Sequence, residues 1–431
     1  MLKTLKNAWA IAELRKKILF TLFIVLIYRL GNAVPVPYVD SELLADYFTS
    51  VNNTILGLWN TMSGGSFSMA TIFALSIQPY INASIIIQLL TIAIPALERL
   101  QKEGGEEGRK KLASITRYTT VGIGLVMGFG YYTLIRNGMN GQSMLTESGI
   151  WPAVVIIMTF MAGSALIMWM GEQITEFGVG NGISVILFAS IIARFPSSVG
   201  TMVSNVSSGS LAWWALLLVV IGALLIIVLI VIVNDAERRL PVQYSKRVVG
   251  RKLYGGQSTH LPMKVNMSGV MPIIFASTIA AIPATICAFV PSWQDSWLME
   301  NVFNTNTVPY AIIYFLLIIF FSYFYSTIQF NPVEIANNLK KNGGFIPGIR
   351  PGKPTSDYIK KVLNKVTLFG AIYLSIVAVI PMLIGCFTDA PALSGISLGG
   401  TSIIIVVGVA IETVRAIEAQ MLMRNYKGFL E

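Results

Sequence analysis

A chain of 431 residues that is 54% hydrophobic, only 12% charged and carries a formal net charge of +10 is no ordinary soluble domain, in which about 25% of residues are charged. It has the composition of a polytopic membrane protein. Cys287 and Cys386 both lie in apolar runs and the single histidine, His260, lies in a basic polar loop, which excludes a disulfide framework, a cysteine zinc site, a multi-histidine metal site and a histidine proton relay.

Residues 1–17 place basic side chains ahead of an apolar run, as a signal peptide does, but the run at 18–34 continues into Pro35 and Pro37 with no small-x-small cleavage site. It reads as a first span. The next stretch, SGGSFSMATIFALSIQPYINASIIIQLLTIAIP at 63–95, organises the chain: a Gly64–Gly65 break, then a membrane helix over 71–95. In lipid every backbone N–H and C=O needs an internal partner, so irregular backbone at depth is tolerated only inside protein or beside a water-filled cavity. The break therefore implies a pore or a binding cavity. Further runs long enough for a hydrocarbon core of about 30 Å follow at 114–135, 151–171, 211–233, 267–290, 309–330, 366–386 and 401–421. A tenth, at 182–195, is short, and charge decides it.

All but three of the 31 Lys and Arg residues fall in the N-terminus, the loop after span two, two long loops at about 234–266 and 331–365, and the tail. The positive-inside rule assigns all five places to the cytoplasm, which holds only if 182–195 also crosses. The expectation is an all-α membrane protein of ten transmembrane helices with both termini cytoplasmic. An N-terminal half (18–195) and a C-terminal half (211–421) are joined by an external hinge loop at 196–210 and followed by a tail at 422–431. Five spans per half put the halves in opposite orientations, an inverted repeat. The second span of each half is the interrupted one, with Gly64, Gly65 and Pro79 in the first and Gly269, Pro272 and Pro283 in the second. Paired interruptions point to a seam between the halves.

A coupled transporter usually carries ionisable groups at mid-membrane, and here the span centres are nearly free of them. No phosphate-binding loop, paired catalytic carboxylates, nucleophile elbow or metalloprotease signature occurs, so the residues offer no enzyme chemistry, no metal site and no cofactor site. Ile77 and Ile81, like Ile183 and Leu187, are four apart and share a helix face. Such a face either packs a core or, if it points into the seam, forms an apolar constriction that gates by dewetting. Asn82, Ser84 and Gln88 on span two, with Ser277 and Thr278 on span seven, are placed to hydrogen-bond across the seam, at about 0.6 kcal/mol per bond. The two long basic loops suit anionic lipid or an acidic or nucleic-acid-bearing partner.

The stretches FSMATIFALSIQPYINASIIIQLL, GEQITEFGVGNGISVILFA, YGGQSTHLPMKVNMSGVMPIIFASTI, FNPVEIANNLKKNGGFIPGIRPGKPT and GGTSIIIVVGV resemble the SecY family, the channel subunits of the bacterial protein translocase, in order and over essentially the whole chain. The resemblance implies a channel that passes unfolded polypeptides across the plasma membrane and releases hydrophobic segments sideways into lipid. It implies the family's inverted clamshell of five plus five helices, hinged between spans five and six. It assigns a plug to about 63–70, with Ser63, Gly64, Gly65, Ser66, Phe67, Ser68 and Met69, and a pore ring to Ile77, Ile81, Ile183, Leu187, Ile274 and Ile405. Leu187 stands where isoleucine is commoner, a swap that preserves volume. The lateral gate lies between spans two and three and spans seven and eight, which places Asn82, Gln88, Ser277 and Thr278 at it. Arg251, Lys252 and Arg350 match the places where the family docks the motor ATPase SecA or a translating ribosome. The other implied partners are the subunits SecE and SecG, signal peptides, unfolded client chains and membrane lipids.

Overall fold

The computed structural model describes residues 2–50, 55–102, 104–138, 143–209, 212–244, 247–249, 252–254, 258–267, 269–289, 297, 301–304, 307–387 and 399–427. The first half contributes α1 (Leu2–Ala10), α2 (Ala12–Gly31), α3 (Ser41–Ser50), α4 (Ile55–Met62), α5 (Gln78–Ala93), α6 (Pro95–Lys102), α7 (Gly105–Asn137), α8 (Ile150–Phe177) and α9 (Gly182–Ser207). The second contributes α10 (Trp213–Asp235), α11 (Met271–Phe289), α12 (Val308–Gln329), α13 (Pro332–Lys341), α14 (Lys353–Phe387) and α15 (Gly399–Lys427). Each apolar run of the sequence overlaps one helix: α2, α5, α7 to α12, α14 and α15. Among the described residues six helices are long and apolar enough to cross a membrane, α12 counted with α13, and the bent pair α5 and α6 makes a seventh. The basic residues Arg15, Lys16 and Lys17 crowd the first turns of α2 and keep it off that count.

Three boundaries differ from the sequence reading. Span two is not helical from residue 71: residues 63–77 form turns and a single bridge from Thr71 to Pro35, and the helix starts at Gln78. Its far end breaks at Ile94 (φ −109°, ψ 112°), because the residue before a proline is driven out of the helical region, and the chain bends by 106° into α6. The segment at 182–195 is not short. Helix α9 runs through Pro196 to Ser207, so residues 196–207, read as an external loop, are helix. Ser197, Ser198, Thr201 and Ser207 return their hydroxyls to carbonyls three or four residues back, which lets so polar a sequence stay helical.

The helices pack as two groups meeting at a seam. In the first group α5 lies on α7, α7 on α8 and α8 on α9; in the second α11 lies on α12, α12 on α14 and α14 on α15. Helix α11 crosses the seam to α5 and α7, while α15 closes the other side against α9, α10 and α1. The largest apolar cluster draws on both groups, from Ile24 and Tyr28 on α2 to Ile404, Ile405 and Val409 on α15. Helix α10 has the highest mean hydropathy, 3.8, yet only 11% of its apolar window is buried. An apolar helix so little covered by its own chain is suited to lipid or to a partner helix.

The two long basic loops join in one small subdomain. Strands β1 (Glu237–Tyr244), β2 (Arg247–Val249), β3 (Lys252–Tyr254) and β4 (Ser258–Lys264) come from the first loop and β5 (Gly344–Phe345) from the second. They form an antiparallel sheet of order β4, β1, β5, with Leu240 opposite Leu261 and Gln243 opposite Phe345, and a separate β2–β3 hairpin. Leu240 and Val242 alternate inward onto Met263, Leu339, Ile346, Ile359 and Leu363. At its base Arg415 donates to the Asp235 carboxylate at 2.5 Å and to the Asn234 carbonyl at 2.9 Å, tying the end of α10 to α15.

Candidate functional site

The six residues of the expected ring come from four places: Ile77 and Ile81 at the start of α5, Ile183 and Leu187 on α9, Ile274 on α11 and Ile405 on α15. Ile77 is the residue that caps α5, and its carbonyl accepts the Ile81 N–H at 3.1 Å, so the two keep one face although the helix has only begun. On α9 the Asn181 side chain caps the helix by accepting from Ile183 and Ser184 N–H at 3.1 and 3.5 Å. Gly182 lies against the Gly171 carbonyl, where any Cβ would collide, so α8 and α9 approach closely just before this pair. Ile77, Ile81, Leu187, Ile274 and Ile405 are all buried within one cluster, and Ile183 packs against it partly buried. All six side chains are aliphatic and offer van der Waals contact and no directional bond, and such surfaces wet poorly.

Beside these residues lies the irregular stretch 63–77. Gly64 (φ 72°) and Gly65 (φ 90°) turn the chain in the left-handed region, where an L side chain costs about 1–2 kcal/mol. Gly64 sits on α9: a Cβ there would lie 2.8 Å from the Ser190 carbonyl oxygen. Ser190 is fixed in turn by a 2.7 Å hydrogen bond to the Tyr28 hydroxyl on α2. Several backbone groups of the stretch are paired within it or with α4. Gly65 N–H donates to the Asn60 carbonyl at 2.8 Å, Phe67 N–H to Ser63 Oγ at 3.1 Å and Ser68 N–H to Asn60 Oδ1 at 3.0 Å. Ser63, Ser66 and Phe67 are buried, whereas Met69 is exposed.

At the seam the structure corrects one expectation. Asn82 donates to Met127 Sδ at 3.6 Å on α7, and Ser277 returns its hydroxyl to the Ile274 carbonyl at 2.8 Å within α11. Asn82 Oδ1, Gln88 Oε1 and Thr278 Oγ1 are buried without a partner, so the hydrogen bonds across α5 and α11 that the sequence suggested are not made. The residues that α5 and α11 share in the large cluster are apolar, and among the described residues no side-chain hydrogen bond joins the two helices.

On the basic face Arg350 is exposed at the tip of a turn held by Gly348 (φ 81°) and Gly352 (φ 103°), and its carbonyl accepts the Thr355 hydroxyl at 2.8 Å. Lys252 opens β3, and Arg251 lies outside the described residues. Lys264, at the end of β4, is held below the usual lysine range by partial burial and by the nearby Arg415. The sequence reading missed the sheet that unites the basic loops; the alternation of Leu240, Val242 and Tyr244 in ERRLPVQY is the signal that marks its central strand. Among the described residues no three His, Cys, Asp or Glu side chains gather as a metal site would need.

The chain is similar to known proteins in both sequence and fold. The SecY family profile matches residues 71–414. The protein translocase subunit SecY of Streptomyces coelicolor is 44% identical over 444 residues, covering 100% of both chains, and that of Aquifex aeolicus is 41% identical over 434 residues with the same coverage. A solved SecY structure, described by a plug domain that stabilises the closed state of the translocation channel and maintains a membrane seal, superposes with a TM-score of 0.67 at 15% identity, covering 94% of this chain and 92% of the other. Sec61 in the canine ribosome-channel complex superposes with a TM-score of 0.60 at 14% identity and the same coverage. At such identities the structural likeness speaks to fold alone.

Proposed function

The chain belongs to the SecY family of protein-conducting channels, and on that footing we propose that Ile77, Ile81, Ile183, Leu187, Ile274 and Ile405 are its pore ring, residues 63–69 its plug and the contact of α11 with α5 and α7 its lateral gate. What supports this reading is that six aliphatic residues from four elements and both halves belong to one apolar cluster, and that Ile77 ends the backbone break. An aliphatic collar can yield to any client side chain while keeping water and ions out. The exposed backbone of an unfolded client meets no fixed donor or acceptor there, so passage requires no sequence match.

The channel itself supplies no catalysis in this reading; the driving force comes from partners. The basic loops, with Arg350 exposed at one turn and with Arg251 and Lys252 in the other loop, dock the motor ATPase SecA or a ribosome, whose acidic groups or phosphates suit that charge. Signal peptides and transmembrane segments of clients leave through the seam into lipid, SecE braces the two halves, and SecG sits at the periphery. The protein is a multi-pass membrane protein, and we place it in the bacterial plasma membrane with both termini on the basic, cytoplasmic side.

Planar-bilayer conductance of the purified translocase complex tests the assignment. The intact channel should stay closed without a client, and deletion of residues 63–69 should produce an ion leak. A deletion that leaves the closed level unchanged would count against the plug, and the ring would then have to seal alone.

A further inference from the structure

The apolar interior is divided in a way that bears on how a plug is held. The large cluster that contains the collar takes residues from both halves. A second cluster takes its buried members from residues 36–160 alone, and Phe67 is one of them. The Phe67 ring stacks on Tyr131 of α7 with centroids 4.3 Å apart, and Phe48 of α3 and Trp59 of α4 meet it edge-on at 5.2 and 5.9 Å. Behind it Tyr131 leans on Phe160 of α8 at 4.9 Å. The Tyr131 hydroxyl donates to the Phe67 carbonyl, so one side chain grips both the ring and the backbone of the same residue.

We propose that Tyr131 is the latch of the plug: with Phe48, Trp59 and Phe160 it forms an aromatic socket for Phe67 that belongs to the N-terminal half alone, so release of the plug is set by this socket and not by the seam between the halves. The proposal rests on the reading of residues 63–69 as the plug. Tyr131 is a positioning residue, since it holds the segment that obstructs the path and lies outside the collar. Each aromatic pair adds to plain burial, and a buried carbonyl deprived of its donor is penalised in its own right. A plug seated in one half can stay in place while the halves part, and it can be lost while they remain together. Leak and lateral release are then separate properties with separate residues. Trp59 and Ile72, which pack against both clusters, are the contacts through which motion at the seam would reach the socket.

The test uses the purified translocase complex with three substitutions, Tyr131→Phe, Tyr131→Leu and Phe67→Leu, beside wild type and the deletion of 63–69. Two quantities are read: client-free conductance in planar bilayers, and insertion of a marginally hydrophobic transmembrane segment, which reports the seam. Tyr131→Phe keeps the stack and loses the hydroxyl, and it should raise the leak about fivefold. Tyr131→Leu and Phe67→Leu lose the stack and should raise it about tenfold or more, toward the level of the deletion. All three should leave segment insertion at the wild-type level. The near-isosteric Tyr131→Phe keeps the test open if the leucine variants fail to accumulate. A leak unchanged in all three while the deletion leaks would overturn the latch and leave the plug standing. A deletion that does not leak would overturn the plug reading itself. Changed insertion alongside the leak would show that socket and seam are one device, against the proposal.

Discussion

Two adjacent glycines in the break allow strain to be separated from contact. Gly64 and Gly65 both have positive φ, 72° and 90°, so an alanine at either is strained by about 1–2 kcal/mol. Only Gly64 is also crowded, with its added Cβ 2.8 Å from the Ser190 carbonyl oxygen and 3.3 Å from Ser190 Cα, whereas Gly65 has nothing within 4 Å. The obstacle is backbone on α9, anchored through Ser190 to Tyr28, so no rotamer change relieves it, and overpacking of that kind adds about 1–3 kcal/mol. If the strain is released when the segment leaves its seat, Gly65→Ala should raise the unseated fraction roughly fivefold or more. Gly64→Ala should raise it a further tenfold or so, at about 1.4 kcal/mol per decade. Single-channel conductance of the purified complex without client measures that fraction as open probability, with the 63–69 deletion as ceiling. Equal open probabilities in the two variants would refute the reasoning, because the Ser190 contact would then carry no weight.

Thr278→Val removes a buried hydroxyl that has no partner, so it should stabilise the closed seam by about 1 kcal/mol and lower insertion of a marginally hydrophobic segment; unchanged or higher insertion would contradict this. Arg350→Glu reverses the charge at the exposed tip of the α13–α14 turn and should abolish motor-driven export while the protein accumulates in the membrane, with export in proteoliposomes as the readout. Asp235→Asn breaks a bridge to Arg415 whose side chains are 34% and 63% exposed for Arg415 and Asp235, so thermal unfolding of the complex should show a loss of under about 1 kcal/mol that fades in high salt.

What was legible in the sequence follows the physics of the solvent. Hydrophobic runs and the bias of Lys and Arg survive any tertiary detail, because lipid demands them of each segment separately, and so the ten runs fall on ten helices. The helix starts were misread where tertiary contact overrides hydropathy. Residues 70–77 are as apolar as a span, yet they are held by Val36 N–H on the Ala70 carbonyl and Ile72 N–H on the Val34 carbonyl, partners that no periodicity reveals. The converse holds at 196–207, where serine and threonine look like loop but satisfy themselves inside α9. Of the residues proposed for the ring, those on α5 and α9 stand out as four-residue repeats, whereas Ile274 and Ile405 rest on family resemblance alone, since a single isoleucine in an apolar helix carries no signal. The aromatic socket was not legible at all, because Phe48, Trp59, Phe67, Tyr131 and Phe160 are brought together from four helices and a turn.

The proposed plug and the proposed gate can be compared by how their buried polar groups are paired. In the break, Gly65, Phe67 and Ser68 all have their N–H groups paired, and the Phe67 carbonyl is paired with Tyr131. Leaving the socket breaks these bonds, although Ser66 Oγ and Ser76 Oγ in the same stretch are buried with nothing to bond. At the seam, Asn82 Oδ1, Gln88 Oε1 and Thr278 Oγ1 are buried with nothing to bond, each at a penalty of about 1–3 kcal/mol. Opening the seam to water or to the backbone of an entering segment gives those atoms partners and recovers part of that penalty. A closed seam with unmet polar demand opens against a smaller barrier than a fully apolar one, and a segment able to supply hydrogen bonds lowers it further. If residues 63–69 are the plug and the α5–α11 contact the gate, the difference between them lies in the aromatic socket and the paired backbone of the one, not in the side-chain hydroxyls, which go unpaired in both.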